Sequence, residues 1–332
     1  MYKNPSELID ISNRRLNYLR VSITDRCNLR CMYCEPHKRM EKLYHEQILR
    51  YEEFIRLIRI GVRLGINKVR VTGGEPLVRK GVDNFLRQLG HIKGLQDISL
   101  TTNGVLLKDH LDRLRKAGIT RINISLDSLN PEKFRKITGS NDFCKVWETI
   151  IEAHKRGFYP IKLNVVVLGG VNDHEIIDLA KLSFDYPFHI RFIEYMPVGP
   201  KPLSFDRAIY ADEILERLKS LGELVPVRRE FLDGPARRYK FRGAPGEIGI
   251  ICPISHHFCD QCNRLRITAE GRLRACLLSN DFIDLKKPIR SGASDEELSA
   301  LFVKAVSDKP AKHHLISDCK EHISDQMSSI GG

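Results

Sequence analysis

Six of the nine cysteines fall in two compact groups, and the spacing of each suits a metal. The first is Cys27, Cys31 and Cys34 in CNLRCMYC, a CxxxCxxC loop. Three thiolates from one short loop can hold three irons of a [4Fe–4S] cube and leave the fourth iron open to a ligand. The same thiolates would also serve zinc, as a Cys3His site with His37 as the fourth ligand. The second group is Cys259, Cys262 and Cys276 in CDQCNRLRITAEGRLRAC. Here a zinc ribbon completed by Cys252, His256 or His257 stands beside a second iron–sulfur cluster. The start, MYKNPSELIDISNRR, has no apolar secretion segment, so clustered cysteines argue for metal over disulfides. Cys144, Cys252 and Cys319 stand apart and read as buried or incidental thiols.

Charge suggests a second chemistry. There are 54 Lys and Arg against 42 Asp and Glu, a net charge of +12. That balance fits an anionic ligand, either nucleic acid or a phosphorylated small molecule, and equally a basic solvated surface. In Arg264-Leu265-Arg266 the arginines are two apart, so in an extended segment both guanidiniums face one way. Paired arginines beside an open metal suit bidentate phosphate contacts. Arg20, Arg70 and Lys162 sit inside otherwise apolar runs, where a charge needs a partner; Arg191 is a further candidate for the same lining. Thr72-Gly73-Gly74-Glu75-Pro76 adds glycines that let backbone approach a ligand, and a carboxylate able to pair with an ammonium.

These residues need elements to place them. Six β-type runs recur, at 19–24, 68–72, 97–101, 121–126, 161–168 and 189–194. Helical periodicity fills the gaps, at YEEFIRLIRIGVRLG and over 82–89, 108–117, 145–156, 174–184 and 211–221. Alternation of this kind predicts an α/β fold with a parallel sheet and right-handed crossovers. Six units rather than eight predict an incomplete (β/α)6 TIM-type barrel, its function on the loops after the strands. The pattern breaks near Arg228, where a C-terminal α+β iron–sulfur domain is expected to cover the open side. The expected division is 1–15 as an extension without motif, 16–227 as the partial barrel, and 228–332 as the C-terminal region. At 42% apolar residues the chain can build a large core, and no window nears the ~18 apolar residues of a membrane span. A soluble, cytoplasmic protein is expected.

The motifs together carry a resemblance. LRVSITDRCNLRCMYC, with VRVTGGEPLVR one unit later, resembles the radical S-adenosylmethionine (SAM) superfamily. RFIEYMPVG, SHHFCDQCNRLRITAEGRLRACL and the terminal Gly-Gly narrow it, over about 16–332, to the family that cyclises GTP at the start of molybdenum cofactor biosynthesis. The resemblance implies a radical SAM lyase with two [4Fe–4S] clusters and SAM, making (8S)-3′,8-cyclo-7,8-dihydroguanosine 5′-triphosphate. It implies Cys27, Cys31 and Cys34 on the SAM cluster, and Cys259, Cys262 and Cys276 on a cluster that binds guanine. It implies Tyr33, Gly74, Ser125 and Met196 at SAM. Arg20, Arg70, Thr101, Lys162, Arg264, Arg266 and the Leu265 backbone would hold GTP, and Gly331 and Gly332 would thread into the site. Implied partners are an electron donor and a downstream cyclic pyranopterin monophosphate synthase. Neither membrane nor nucleic acid is required, and a homodimer stays open. Two other readings remain: a peptide-modifying radical SAM maturase with an auxiliary cluster, and a non-catalytic zinc protein that binds nucleic acid.

Overall fold

Runs rich in Val and Ile become the parallel strands β1 (Tyr18–Ser22), β2 (Lys68–Thr72), β3 (Asp97–Thr102), β4 (Arg121–Ser125), β5 (Ile161–Val167) and β6 (His189–Glu194). This is a computed structural model that describes residues 7–34, 42–199, 208–228, 233–313, 323 and 325–331. All five positions of β2 are buried, as expected for a strand covered on both faces. The covering helices are α1 (Tyr51–Arg63), α2 (Val82–Gly90), α3 (Leu111–Lys116), α4 (Pro131–Thr138), α5 (Phe143–Lys155) and α6 (Ile176–Asp185). On α1, Phe54, Leu57 and Ile58 are buried, which is the face the periodicity picks out. The crossover from β4 to β5 holds two helices where the periodicity predicts one. Half of the α4 sequence, PEKFRKIT, is charged, but its ends are well made. The Asn130 side chain accepts from the backbone of Glu132 and Lys133, and Gly139 closes the helix at φ 71°.

The later strands are β7 (Leu224–Pro226), β8 (Arg237–Phe241), β9 (Glu247–Ile251), β10 (Arg264–Ile267), β11 (Arg272–Arg274) and β12 (Ile283–Asp284). They extend the same sheet at both edges, in the order β12-β11-β10-β1-β2-β3-β4-β5-β6-β9-β8-β7. β9 runs parallel to β6 and β10 parallel to β1, so the curved sheet is lengthened and not closed. The barrel is therefore incomplete, as predicted, and the sheet continues across the boundary placed near Arg228. Among the described residues four more α-helices follow β6: α7 (Ala211–Leu218), α8 (Lys286–Arg290), α9 (Asp295–Ser307) and α10 (Met327–Ile330). Ile330 of α10 joins Val198, Leu278 and Ile323 in a small apolar cluster that Met196 and Met327 pack against. That cluster pins the C-terminal tail over the strand ends. Among the described residues, no helix is long and apolar enough to cross a membrane.

Candidate active site: two cysteine loops on one cavity

The first cysteine loop leaves β1 and is held on two sides by backbone. Arg30 N donates to Thr138 O at 2.9 Å and Met32 N to Ile137 O at 2.8 Å, tying the loop to the end of α4. On the other side Gly74 N donates to Thr24 O at 2.7 Å and Glu75 N to Arg26 O at 2.8 Å. A Cβ on Gly74 would stand 2.4 Å from the Arg26 carbonyl, so only glycine allows this approach. The two motifs are thus one structure. Cys27, Cys31 and Cys34 line a cavity with Tyr33 and Gly74. Tyr33 donates to Asp127 Oδ2 at 2.6 Å, while Asp127 Oδ1 accepts from Val166 N at 2.8 Å, which fixes the ring. Burial pushes the Cys31 thiol well up, helped by Cys34, Asp127 and Cys27. Crowded in this way, the three cysteines can all be thiolates only beside a bound cation.

Strand register builds the cavity's basic wall. Across β10, β1 and β2, Arg266 stands beside Arg20 and Arg20 beside Arg70; one row down, Arg264 is beside Tyr18 and Tyr18 beside Lys68. Arg20, Arg70, Arg264 and Arg266 all line the cavity, whereas Leu265 between the last two is 1% exposed and in the core. This is the alternation expected of an extended segment. Thr101, Ser125 and Met196 also line it. Lys162 does not reach the lining. It is buried, and burial first, then Arg191, Arg121, Arg70 and Lys68, pulls its ammonium down to about 5. Arg191 falls to about 9, mainly by burial and then by Arg70, and Arg20 falls to about 10 by burial. The wall is short of negative charge.

The second triad lines the same cavity. Cys259 and Cys262 sit on a single turn, with Cys262 N donating to Cys259 O at 3.1 Å, and Cys276 follows the β10–β11 hairpin. Burial alone would raise the Cys262 thiol, yet Arg264 and Lys309 bring it down to about 6. Two of the three zinc candidates are engaged elsewhere: the Cys252 thiol donates to His256 O at 3.4 Å, and His256 Nε2 lies 2.9 Å from Asp212. His257 lines the cavity, and its buried Nδ1 has no hydrogen-bond partner among the described residues. His37 and Cys319 lie outside the described residues, as does Gly332; Cys144 is exposed. Gly331 is inside the site region. Its carbonyl accepts from Arg266 Nη1 at 2.8 Å, and its φ is 73°.

Among the described residues, no three His, Cys, Asp or Glu side chains converge on a point that one metal ion could occupy. A cube differs from an ion in taking each thiolate at a separate corner. The chain matches the Radical SAM superfamily over residues 21–183 and Molybdenum Cofactor Synthesis C over residues 188–315. It is 46% identical over 328 residues to GTP 3′,8-cyclase of Syntrophomonas wolfei, covering 98% of this chain and 100% of that one. GTP 3′,8-cyclase of Thermodesulfovibrio yellowstonii is 47% identical, covering 97% and 99%. The chain belongs to the GTP 3′,8-cyclase family. Membership of the radical SAM superfamily brings an iron–sulfur cluster and SAM. The fold is also that of Streptococcus suis SuiB bound to S-adenosylmethionine, at a TM-score of 0.63 and 17% identity over 93% of this chain and 79% of that one.

Several residues of this cyclase relative escape motif reading. Glu75, expected to face an ammonium, is fully buried and turned from the cavity. Its carboxylate accepts from Leu77 N at 3.0 Å, Thr102 Oγ1 at 2.8 Å and Asn103 N at 2.6 Å. Burial pushes it up to about 7 against those bonds. Glu75 therefore braces the β2 and β3 loops. Asn103 in turn reaches back to Asn28 at 2.7 Å and to Cys27 Sγ at 3.8 Å. Tyr18 Oη, Thr101 Oγ1 and Asn164 Oδ1 line the cavity, are buried, and have no hydrogen-bond partner among the described residues. Such groups cost free energy unless a ligand completes them. Only Thr101 of the three was signalled by the sequence motifs.

Proposed function

We propose that this chain converts GTP to (8S)-3′,8-cyclo-7,8-dihydroguanosine 5′-triphosphate, the first step of molybdenum cofactor biosynthesis. One observation carries the reading: two cysteine triads and an in-register row of arginines line a single cavity. Cys27, Cys31 and Cys34 would hold the SAM cluster, and Cys259, Cys262 and Cys276 a second cluster at the guanine. When bound, the first cluster and SAM together supply hydrogen-atom abstraction at the ribose C3′. The protein's share is positioning and exclusion of water. Gly74 brings its backbone to SAM, with Tyr33, Ser125 and Met196 around the rest. Arg20, Arg70, Arg264 and Arg266 hold the triphosphate, with Thr101 beside them and Lys162 behind. An electron donor supplies the reducing equivalents, and a separate cyclic pyranopterin monophosphate synthase consumes the product. Anaerobic incubation of reconstituted protein with GTP, SAM and dithionite tests the proposal through formation of the cyclised nucleotide. Zinc in both cysteine sites with salt-dependent binding to polynucleotide would contradict it.

Removing one arginine of the wall tests the triphosphate grip. Arg264→Ala or Arg266→Ala each lose a charge-assisted contact worth about 1.5–3 kcal/mol, so GTP affinity falls roughly ten- to hundredfold. Guanosine, which lacks phosphates, loses much less in the same titration. Equal weakening of both ligands would place these arginines elsewhere.

Lys162 gives the site a proton linkage. With its ammonium at about 5 in the free protein, Lys162 is neutral at pH 7. A triphosphate favours the charged form, so binding takes up a proton and affinity falls as pH rises from about 5 to the raised value in the complex. Calorimetry in buffers of different ionisation enthalpy reads the uptake directly, and Lys162→Met abolishes it. The sign for folding follows from the same shift. The unfolded chain binds the extra proton, so this group's contribution to stability grows from about pH 5 towards the ordinary lysine value of 10.5.

A further inference from the structure

Behind the second cysteine group lies a cation that does not line the cavity. Lys309 follows α9 and is only 2% exposed. Its Nζ donates to the Arg264 carbonyl at 3.2 Å and to the Ala275 carbonyl, and lies 3.6 Å from Cys262 Sγ. Arg264 comes two residues after Cys262, and Ala275 immediately precedes Cys276. One ammonium therefore joins the two segments that carry these cysteines, on either side of the β10–β11 hairpin.

The segment bearing Lys309 is itself fastened down. Arg14, from the N-terminal extension that showed no motif, donates to the carbonyls of Pro310 at 2.8 Å, Ala311 at 3.1 Å and Cys259 at 2.7 Å. Its Nε pairs with Asp10 at 2.5 Å, and the Arg14 side chain is 5% exposed. At the far end of the segment, His313 Nε2 lies 2.8 Å from the Pro253 carbonyl. Both ends of this strap are thus fixed around the second triad.

A buried ammonium needs more than carbonyls to offset its lost hydration. Burial is the largest influence on the Lys309 ammonium and pulls it down; Cys262 and Cys276 act to hold the charge, with Arg14 and Arg264 opposing. We propose that Lys309 is a positioning residue for the C-terminal cluster, setting Cys262 and Cys276 in place and raising the cluster's reduction potential through its charge. The inference rests on the second triad holding a [4Fe–4S] cluster. Gaining one electron from an external reductant takes the cube from the 2+ to the 1+ state, and a fixed cation beside a ligating sulfur favours the more negative form.

The test uses protein with Cys27, Cys31 and Cys34 all changed to alanine, so that any iron belongs to the second triad. Lys309→Gln keeps a donor for the carbonyls and drops the charge. In a mediated redox titration with dithionite, its ratio of reduced to oxidised cluster at fixed potential falls about tenfold, a shift of 59 mV to more negative values. Iron content stays at the parent level, and Lys309→Arg keeps the parent potential. A glutamine variant with the parent potential overturns the proposal. Should glutamine fail to retain iron, arginine decides: iron held at the parent potential supports the charge role, and iron lost refutes it. Absence of iron from the parent protein itself would instead remove the second cluster, and with it the reading beneath.

Discussion

Changing Cys27, Cys31 or Cys34 to alanine abolishes reductive cleavage of SAM, whereas changing Cys259, Cys262 or Cys276 leaves cleavage but ends cyclisation. The asymmetry follows from where each triad sits. The first loop is fastened to the Gly73-Gly74 turn by Gly74 N and Glu75 N, so losing one of its sulfurs dismantles the place where SAM would bind. The second triad is placed by the β10–β11 hairpin, next to the arginines that would hold the substrate. Without its cluster the first site still splits SAM, now uncoupled from any nucleotide. Quantifying 5′-deoxyadenosine and cyclised nucleotide in the same reaction separates the two effects. Cyclised product at near wild-type rates from a Cys262 variant would take the second triad away from the substrate.

Gly331→Ala lowers the rate of cyclisation by about a hundredfold while leaving fold and iron content intact. A residue next to a chain end is ordinarily dispensable, because termini tolerate truncation best. Gly331 is held differently. Its φ of 73° lies in the left-handed region that alanine adopts poorly, and an added Cβ would stand 2.7 Å from Thr72 Cγ2 and 3.0 Å from Ser22 Cβ. Those two residues end β2 and β1, so the clash pushes the tail out from the strand ends. Its carbonyl would also release Arg266, now bonded to it at 2.8 Å. Misplacement of a reacting group by about 1 Å costs on the order of a hundredfold. Single-turnover rates with saturating GTP read the loss, and a peptide ending in the same residues restores part of it in trans. Full activity in Gly331→Ala would make the tail a bystander.

The parallel strands and the first cysteine loop were legible because their signals are local. KVRVT and RINIS are β-branched runs, and CxxxCxxC is confined to a single turn of chain. The alternation in Arg264-Leu265-Arg266 likewise predicts which side chains share a face, and β10 shows it. What escaped depends on distant partners. RLRI and RLR carry at least as many charges as apolar residues, so nothing local places them at the edge of a barrel sheet. α4 is set by its caps, and its many charged residues hide its buried face, Phe134 and Ile137. Glu75 has a motif's address, but its three donors come from the turn after it and from β3 and its loop, and they turn it inward. Arg14 reaches the segment that follows Lys309 only because stretches nearly 300 residues apart in the chain pack around Cys259 and Cys262. Periodicity has no access to such pairings.

The proposed reaction needs this cavity to hold GTP with its ribose C3′ presented for hydrogen abstraction. Anaerobic turnover of GTP deuterated at C3′ tests it most directly, by mass analysis of the 5′-deoxyadenosine formed. Deuterium is expected in 5′-deoxyadenosine, in step with cyclised product. SAM cleavage that leaves the deuterium on the nucleotide would contradict it.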